Sequence, residues 1–228
     1  PMLYPRMKTL VEEELGIHVF GYVPKVEDCV IESRHLGLVM PEEIPQLKER
    51  LQKLSQVLEK TLEIDEILKL AKSASVLSGS FSSEWKAKEK LRIGLAKDEA
   101  FCFFYEDNLA LLKEMGAELI PFSPIHDKHL PENLDGLLLY GGYPELNGQK
   151  LEANITMRGE IRQALTDGMP CLAECGGFMY LHEQMEGMDG RFYQMAGAIS
   201  GKVFRTPRLT RFGYITLNQN REVKVLGM

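Results

Sequence analysis

The sequence predicts an α/β fold: a layered, mostly parallel sheet flanked by helices. Three observations point to it. From residue 91 onward, short apolar strand segments alternate with amphipathic helical ones, the pattern of successive β-α units. The stretch 134–140, LDGLLLY, is apolar without alternation, as in a strand covered on both faces. Two strand segments, 134–140 and 170–173, run directly into glycine pairs, so their carboxyl ends can carry tightly turned, open backbone.

The elements follow in order. Residues 15–23, LGIHVFGYV, form a β-rich apolar run ending at Pro24, which reads as a buried strand opening into a long loop. From 41 to about 74, Ile44, Leu47, Leu51, Leu54, Leu58 and Leu62 recur every three or four residues, predicting one long helix with Pro41 in its first turn. Residues 73–89 are rich in Ser and Lys with weak periodicity and read as a linker. A strand is expected at 91–96, a helix at 105–115 stopped by Gly116, and a second strand at 117–121. The strand at 134–140 is followed by a helix over 151–166, a strand at 170–173, a turn at 174–177 and a helix to about 184.

Composition narrows the function classes. The chain has 228 residues, 44% hydrophobic and 26% charged, which is the balance of a globular protein. At about 150 residues per domain, the length allows one domain and part of another. No apolar run approaches the roughly 18 residues of a membrane span, and PMLYPRMKTL has no signal-peptide character. The expectation is a cytoplasmic protein with no membrane partner. Cys29, Cys102, Cys171 and Cys175 are too few and too scattered for a disulfide framework, and no zinc quartet exists. Residues 200–228 hold six Lys/Arg against Glu222, a local +5 in a chain of net −6. Thr, Pro and Gly interrupt this stretch and no aromatic-basic repeat runs through it. A small anionic substrate therefore suits it better than nucleic acid.

The strongest chemical signal is PCLAECGGFMYLHEQ at 170–184. A thiol on a tight strand-to-helix turn, followed by two glycines, is the mechanical arrangement of a nucleophile elbow. A helix N-terminus favours the thiolate there, and the Gly176 amide would face a developing oxyanion. The plainer alternative is a small residue at a strand end. Cys171, four residues earlier, reads as core. The second glycine pair, Gly141-Gly142 in LLLYGGYPEL, can supply another oxyanion donor if both strands end at one crevice. Among the histidines, His18 and His182 read as packing residues. His126 and His129 flank Asp127 at a spacing a metal could use, but between two prolines in a loop, and no metal is expected.

Several stretches together resemble the cobyrinic acid a,c-diamide synthase family, in its C-terminal glutamine amidotransferase part. They are GYVP at 21–24, SRHLGLV at 33–39, the run from IGLAKDEAFCFFYEDNL to PFSPIHD over 93–127, LYGGYPEL at 139–146, AECGGFMYL at 173–181 and RFGYITL at 211–217. The resemblance implies a class I glutamine amidotransferase-like fold over 90–228, truncated at its C-terminus. It implies that 1–72 is the C-terminal remnant of an ATP-dependent synthetase domain, with 73–89 as linker. The implied activity is that of a carbon-nitrogen ligase amidating the a and c acetates of cobyrinic acid. Its glutaminase half releases ammonia from glutamine through a Cys thioester.

In that scheme Cys175 is the nucleophile, Gly141, Gly142 and Gly176 form the oxyanion and glutamine-binding region, and Arg34 and His35 are synthetase-site contacts. The implied partners are glutamine and a tetrapyrrole polycarboxylate, and the implied cofactors ATP and Mg2+. Two departures qualify this. No G-x-x-x-x-G-K-[ST] occurs, so the phosphate cradle is not in this chain. None of the five histidines stands in the family's GHEFHYS-like context, so the chain alone is expected to be inactive. A non-catalytic module on the same fold, another Cys hydrolase with the same elbow, and the related nickel-sirohydrochlorin a,c-diamide synthase remain alternatives.

Overall fold

The computed structural model describes residues 2–33, 39–77, 79, 89–208, 210, 213, 214 and 216. The chain divides into two compact units, Pro1–Ser80 and Phe81–Met228.

The first unit is helical. Helix α1, Tyr4–Leu15, was not anticipated. Its signals are a proline in the first turn, a Lys8–Glu12 pair one turn apart, and Gly16, which ends it in the left-handed conformation at φ 64°. The strand expected over 15–23 does not form. Leu15 belongs to α1, and the segment makes a single bridge, Gly21 to Leu62. The predicted long helix is broken into a short 3-10 turn, Pro41–Glu43, helix α2, Leu47–Thr61, and helix α3, Ile64–Lys72. Pro45 keeps Ile44 extended (ψ 110°). At the second break Leu62 leaves the helix to meet Gly21, where an added Cβ would stand 2.1 Å from the Thr61 carbonyl oxygen. Tertiary pairing thus overrides a continuous helical pattern. Among its described residues the unit buries no side chain.

The second unit carries the sheet. Strands β1 (Leu91–Ala96), β2 (Ala117–Phe122), β3 (Gly136–Leu139) and β4 (Cys171–Ala173) are all parallel, in the order β2-β1-β3-β4. Helix α4, Glu106–Glu114, returns β1 to β2, and Gly116 (φ 104°) follows it. Chain progression reverses between β1 and β3, and the carboxyl ends of strands at such a switch point open a crevice. The predicted helix at 151–166 is two, α5 (Gly148–Ala153) and α6 (Ile155–Thr166). Asn154 divides them: its Oδ1 accepts from the Met157 amide, and its Nδ2 donates to the carbonyls of Pro124 and Asp127.

The core lies on both faces of β3, as continuous burial demands. Leu137 and Leu139 join Phe101, Phe122, Leu151, Met157, Ile161 and Tyr180 on one side. Leu138 joins Leu95, Leu109 and Tyr140 on the other. After β4 the predicted long helix is short: α7 covers only Gly176–Tyr180. The chain turns into β5, His182–Glu186, which pairs antiparallel with β6, Phe192–Gln194, and parallel with β7, Ile199–Val203. This second sheet was missed. Each of β5 and β6 buries one residue, Met185 and Tyr193, too little for a strand signal. The Asp189-Gly190 turn between them, with Gly190 at φ 78°, was the readable clue.

Exposed ion pairs peg the loops to the helices. Glu99 meets Lys150 at 2.9 Å and His126 at 2.8 Å. Burial would raise the Glu99 pKa, but the Lys150 hydrogen bond, its own backbone amide and His126 outweigh it and hold the carboxyl at about 2.

Two predictions follow from these contacts. Ile161→Ala, at a fully buried site, is expected to cost about 2–5 kcal/mol in urea unfolding, whereas Leu172→Ala, at an exposed one, shifts stability by less than about 0.5 kcal/mol. A depressed carboxylate pKa contributes stability above the unfolded value near 4.5 that is lost as pH falls toward 2. The stability gap between the parent chain and Glu99→Gln should therefore close across that window, as read from urea midpoints at stepped pH; a gap that persists at pH 2 contradicts the assignment.

Candidate active site

Three loops meet at the carboxyl ends of β1, β3 and β4. Cys175 follows β4 directly and has φ 49° and ψ −112°. A side-chain-bearing residue rarely adopts this geometry, at a cost of about 1–3 kcal/mol. Hydrogen bonds on either side over-determine it. The Glu174 amide donates to the Leu139 carbonyl, the Gly177 amide to the Glu174 carbonyl, and the Met179 amide to the Cys175 carbonyl. Gly177 makes the turn possible: a Cβ there would stand 1.9 Å from the Leu139 carbonyl oxygen. The helix therefore starts directly on the backbone of β3, and the thiol is held outward and exposed.

The turn after β3 closes the other side. A Cβ on Gly141 would lie 3.3 Å from Cys175 Cβ and 3.6 Å from its Sγ. A Cβ on Gly176 would lie 3.2 Å from the Gly142 amide nitrogen and 2.8 Å from Pro144 Cδ. The two glycine turns predicted separately are thus in contact, with Gly141 beside the thiol and Gly142 beside Gly176. The Gly176 amide, at the first position of α7, has no acceptor within the helix. Beneath the turn, Phe103 stacks edge-on to Tyr143 with ring centroids 5.1 Å apart.

The electrostatics separate the thiols. Burial pushes the Cys171 thiol up to about 11, so it stays protonated and unreactive, in line with its reading as core. Cys175 is the exposed one of the four. Next to the site, burial and then the Glu174 charge raise the Tyr140 hydroxyl, against a hydrogen bond from Asn108.

The remaining candidates lie elsewhere. Arg34 and His35 fall outside the described residues. His126 pairs with Glu99 and His129 with Glu160, so each has its own carboxylate. Among the described residues no group of three or more His, Cys, Asp or Glu could hold a metal ion. His18 is exposed between Glu12 and Glu63, outside any strand. His182 opens β5, and its Nδ1–H donates to the Phe178 carbonyl at 2.9 Å. An open cavity of about 490 Å³, bordered by Arg158, Arg162 and Lys202, includes none of the residues around Cys175. No described helix is long and apolar enough to cross a membrane. Asp98 and Pro144, which shape the site, escaped the sequence reading. Only the Asp98-x-Ala100 spacing of an Asx turn hinted at the former.

The profile of the CobB/CobQ-like glutamine amidotransferase domain matches residues 92–227. Cobyrinate a,c-diamide synthase of Clostridium acetobutylicum is 43% identical over 228 residues, covering 99% of this chain and 50% of the relative. That of Caldanaerobacter subterraneus subsp. tengcongensis is 40% identical over 212 residues, covering 93% and 47%. The chain spans about half the length of the curated relatives it matches. A crystal structure of a candidate peptidase E from Listeria monocytogenes EGD-e aligns at 14% identity and TM-score 0.39, over 52% of this chain and 66% of its own, a likeness too low to carry an argument. Matched over more than half its residues, with its glycine turns and cysteine elbow inside the match, the chain belongs to the CobB/CobQ-like glutamine amidotransferase family.

Proposed function

We propose that this chain is the glutaminase part of an enzyme that amidates the a and c acetate groups of cobyrinic acid. The observation that carries the reading is the strained, exposed Cys175 in contact with the Gly141-Gly142 turn. The reaction divides into two steps. The Cys175 thiolate attacks the side-chain amide carbon of glutamine, and the amide oxygen becomes an oxyanion facing the backbone amides of Gly142 and Gly176. Collapse breaks the C–N bond, the nitrogen takes a proton and leaves as ammonia, and a thioester remains. Water then hydrolyses the thioester to glutamate and regenerates the thiol.

The steric arrangement supports these roles. A side chain at Gly141 would crowd the sulfur, and one at Gly142 would stand 2.2 Å from the Ala100 carbonyl oxygen. The glycines therefore keep open the space a substrate amide needs. The proton transfers need a base, and the described histidines are engaged elsewhere. The relatives' shared name, cobyrinate a,c-diamide synthase, supports a cobyrinate substrate, and the exposed Arg205 and Arg208 suit a polycarboxylate. The chain's residues do not fit ATP, because no phosphate-cradling G-x-x-x-x-G-K-[ST] is present. ATP and Mg2+ belong, on this reading, to the synthetase function of the longer protein, and residues 1–72 to that function's domain.

Two measurements test the reading. At neutral pH a glutamine-like chloroketone should modify Cys175 selectively, with Cys171 spared and excess glutamine protecting. Equal labelling of several cysteines, or no protection by glutamine, would sink it. Purified alone, the chain should release glutamate from glutamine at least about a hundredfold more slowly than an enzyme with its base in place, given the 10²–10⁴-fold typical of general acid-base catalysis. Rapid turnover abolished by Cys175→Ser would show that the base lies within this chain.

A further inference from the structure

We propose that Asp98 is a positioning residue that fixes which way the Gly142 amide points, and so sets the oxyanion site beside Cys175. This rests on the glutaminase reading above.

The carboxylate of Asp98 is used on both oxygens. Oδ1 accepts from the amides of Ala100 at 2.8 Å and Phe101 at 3.2 Å. Oδ2 accepts from Ser123 Oγ at 2.8 Å and the Ile125 amide at 2.9 Å. Ser123 Oγ in turn accepts from the His126 amide at 2.8 Å. One side chain thus ties the loop after β1 to the loop after β2, and a reciprocal backbone pair between Asp98 and Phe101 tightens the first of these.

That loop grips the glycine turn from two sides. The amides of Cys102 and Phe103 both donate to the Gly141 carbonyl at 3.0 Å. The Ala100 carbonyl lies under Gly142, so close that a Cβ there would meet it at 2.2 Å. In a trans peptide the C=O and N–H point in opposite directions. With the Gly141 carbonyl held by Cys102 and Phe103, the N–H of Gly142 must point away from the loop, and the Gly142 nitrogen stands 3.2 Å from the Cβ position of Gly176. A Gly-Gly peptide has little intrinsic resistance to flipping, because neither residue pays a Cβ penalty at positive φ. The resistance comes from the loop, and the loop is shaped by Asp98. Asp98 touches no substrate; it acts through the peptide it immobilises.

Asp98→Asn keeps the size but turns an N–H group toward donors, which weakens the clamp without emptying the site. The test compares two reagents on Cys175. Iodoacetamide alkylates a thiolate without generating an oxyanion, whereas attack on a glutamine-like chloroketone does generate one. In Asp98→Asn the chloroketone rate should fall at least about tenfold, given the 10²–10³-fold typical of losing one oxyanion donor. The iodoacetamide rate should stay within about twofold. Ser123→Ala, which removes one donor and leaves the carboxylate, should show the same split in smaller measure, and decides the matter if Asp98→Asn does not fold. A parallel fall of both rates would mean that Asp98 is merely structural, and no fall in either would mean that it does not position the turn. Failure of the parent chain to react selectively with the chloroketone would instead remove the glutaminase reading itself.

Discussion

The constraint on which the site depends is the contact between Gly177 and the Leu139 carbonyl. Only a residue without a Cβ can start a helix that close to the neighbouring strand. With the helix seated there, Cys175 has no room for ordinary backbone angles and takes φ 49°. The same seat brings Gly176 against Gly142 and Pro144. The strain at the thiol, its exposure and the nearness of two backbone amides are therefore one geometric fact seen from three sides. The fully buried residues around β3 stabilise the arrangement, since strain at one residue persists only where its surroundings over-determine it.

Much of this was readable from residue type and order. Strands β1 to β4 are apolar runs bounded by glycine, proline or charge, and they lie within a residue or two of where the pattern puts them. Cys175 and the two glycine pairs were legible because a tight strand-to-helix turn that exposes a side chain needs small neighbours. What failed shares a cause. Apart from the local break at Pro45, the split of the helix over 41–74 is set by Gly21 meeting Leu62, forty-one positions away. The strand at 182–186 competes with a helical continuation and wins only because β6 and β7 pair with it. Asp98 looks like any acid after a strand, and its partners are backbone amides and a serine 25 residues on. Local pattern shows where elements can form; long-range pairing decides where they end.

Polar contacts do different work in the two units. In the sheet-bearing unit, Glu99 with Lys150 and His126, and Glu160 with His129, fasten loops around a mainly apolar core. The helical unit buries no described side chain, and Lys8, Glu12, His18 and Glu63 form a box that links α1 to the break between α2 and α3. Exposed pairs of this kind contribute about 0–1 kcal/mol each. They set the register of the first unit rather than supply its stability.

Among the described residues, strand β4 pairs through three residues, Cys171 to Ala173, and lies at the edge of its sheet. Short edge pairing belongs to the least protected end of a domain's opening spectrum. A transient loss of those few ladder bonds would release the Cys175 turn while the core between β1 and β3 stays intact. The thiol's geometry is thus on a shorter lease than the fold, so mild heating or denaturant should silence it first. Amide exchange at Leu172 and Ala173 would report the lifetime of the Cys175 turn rather than of the domain.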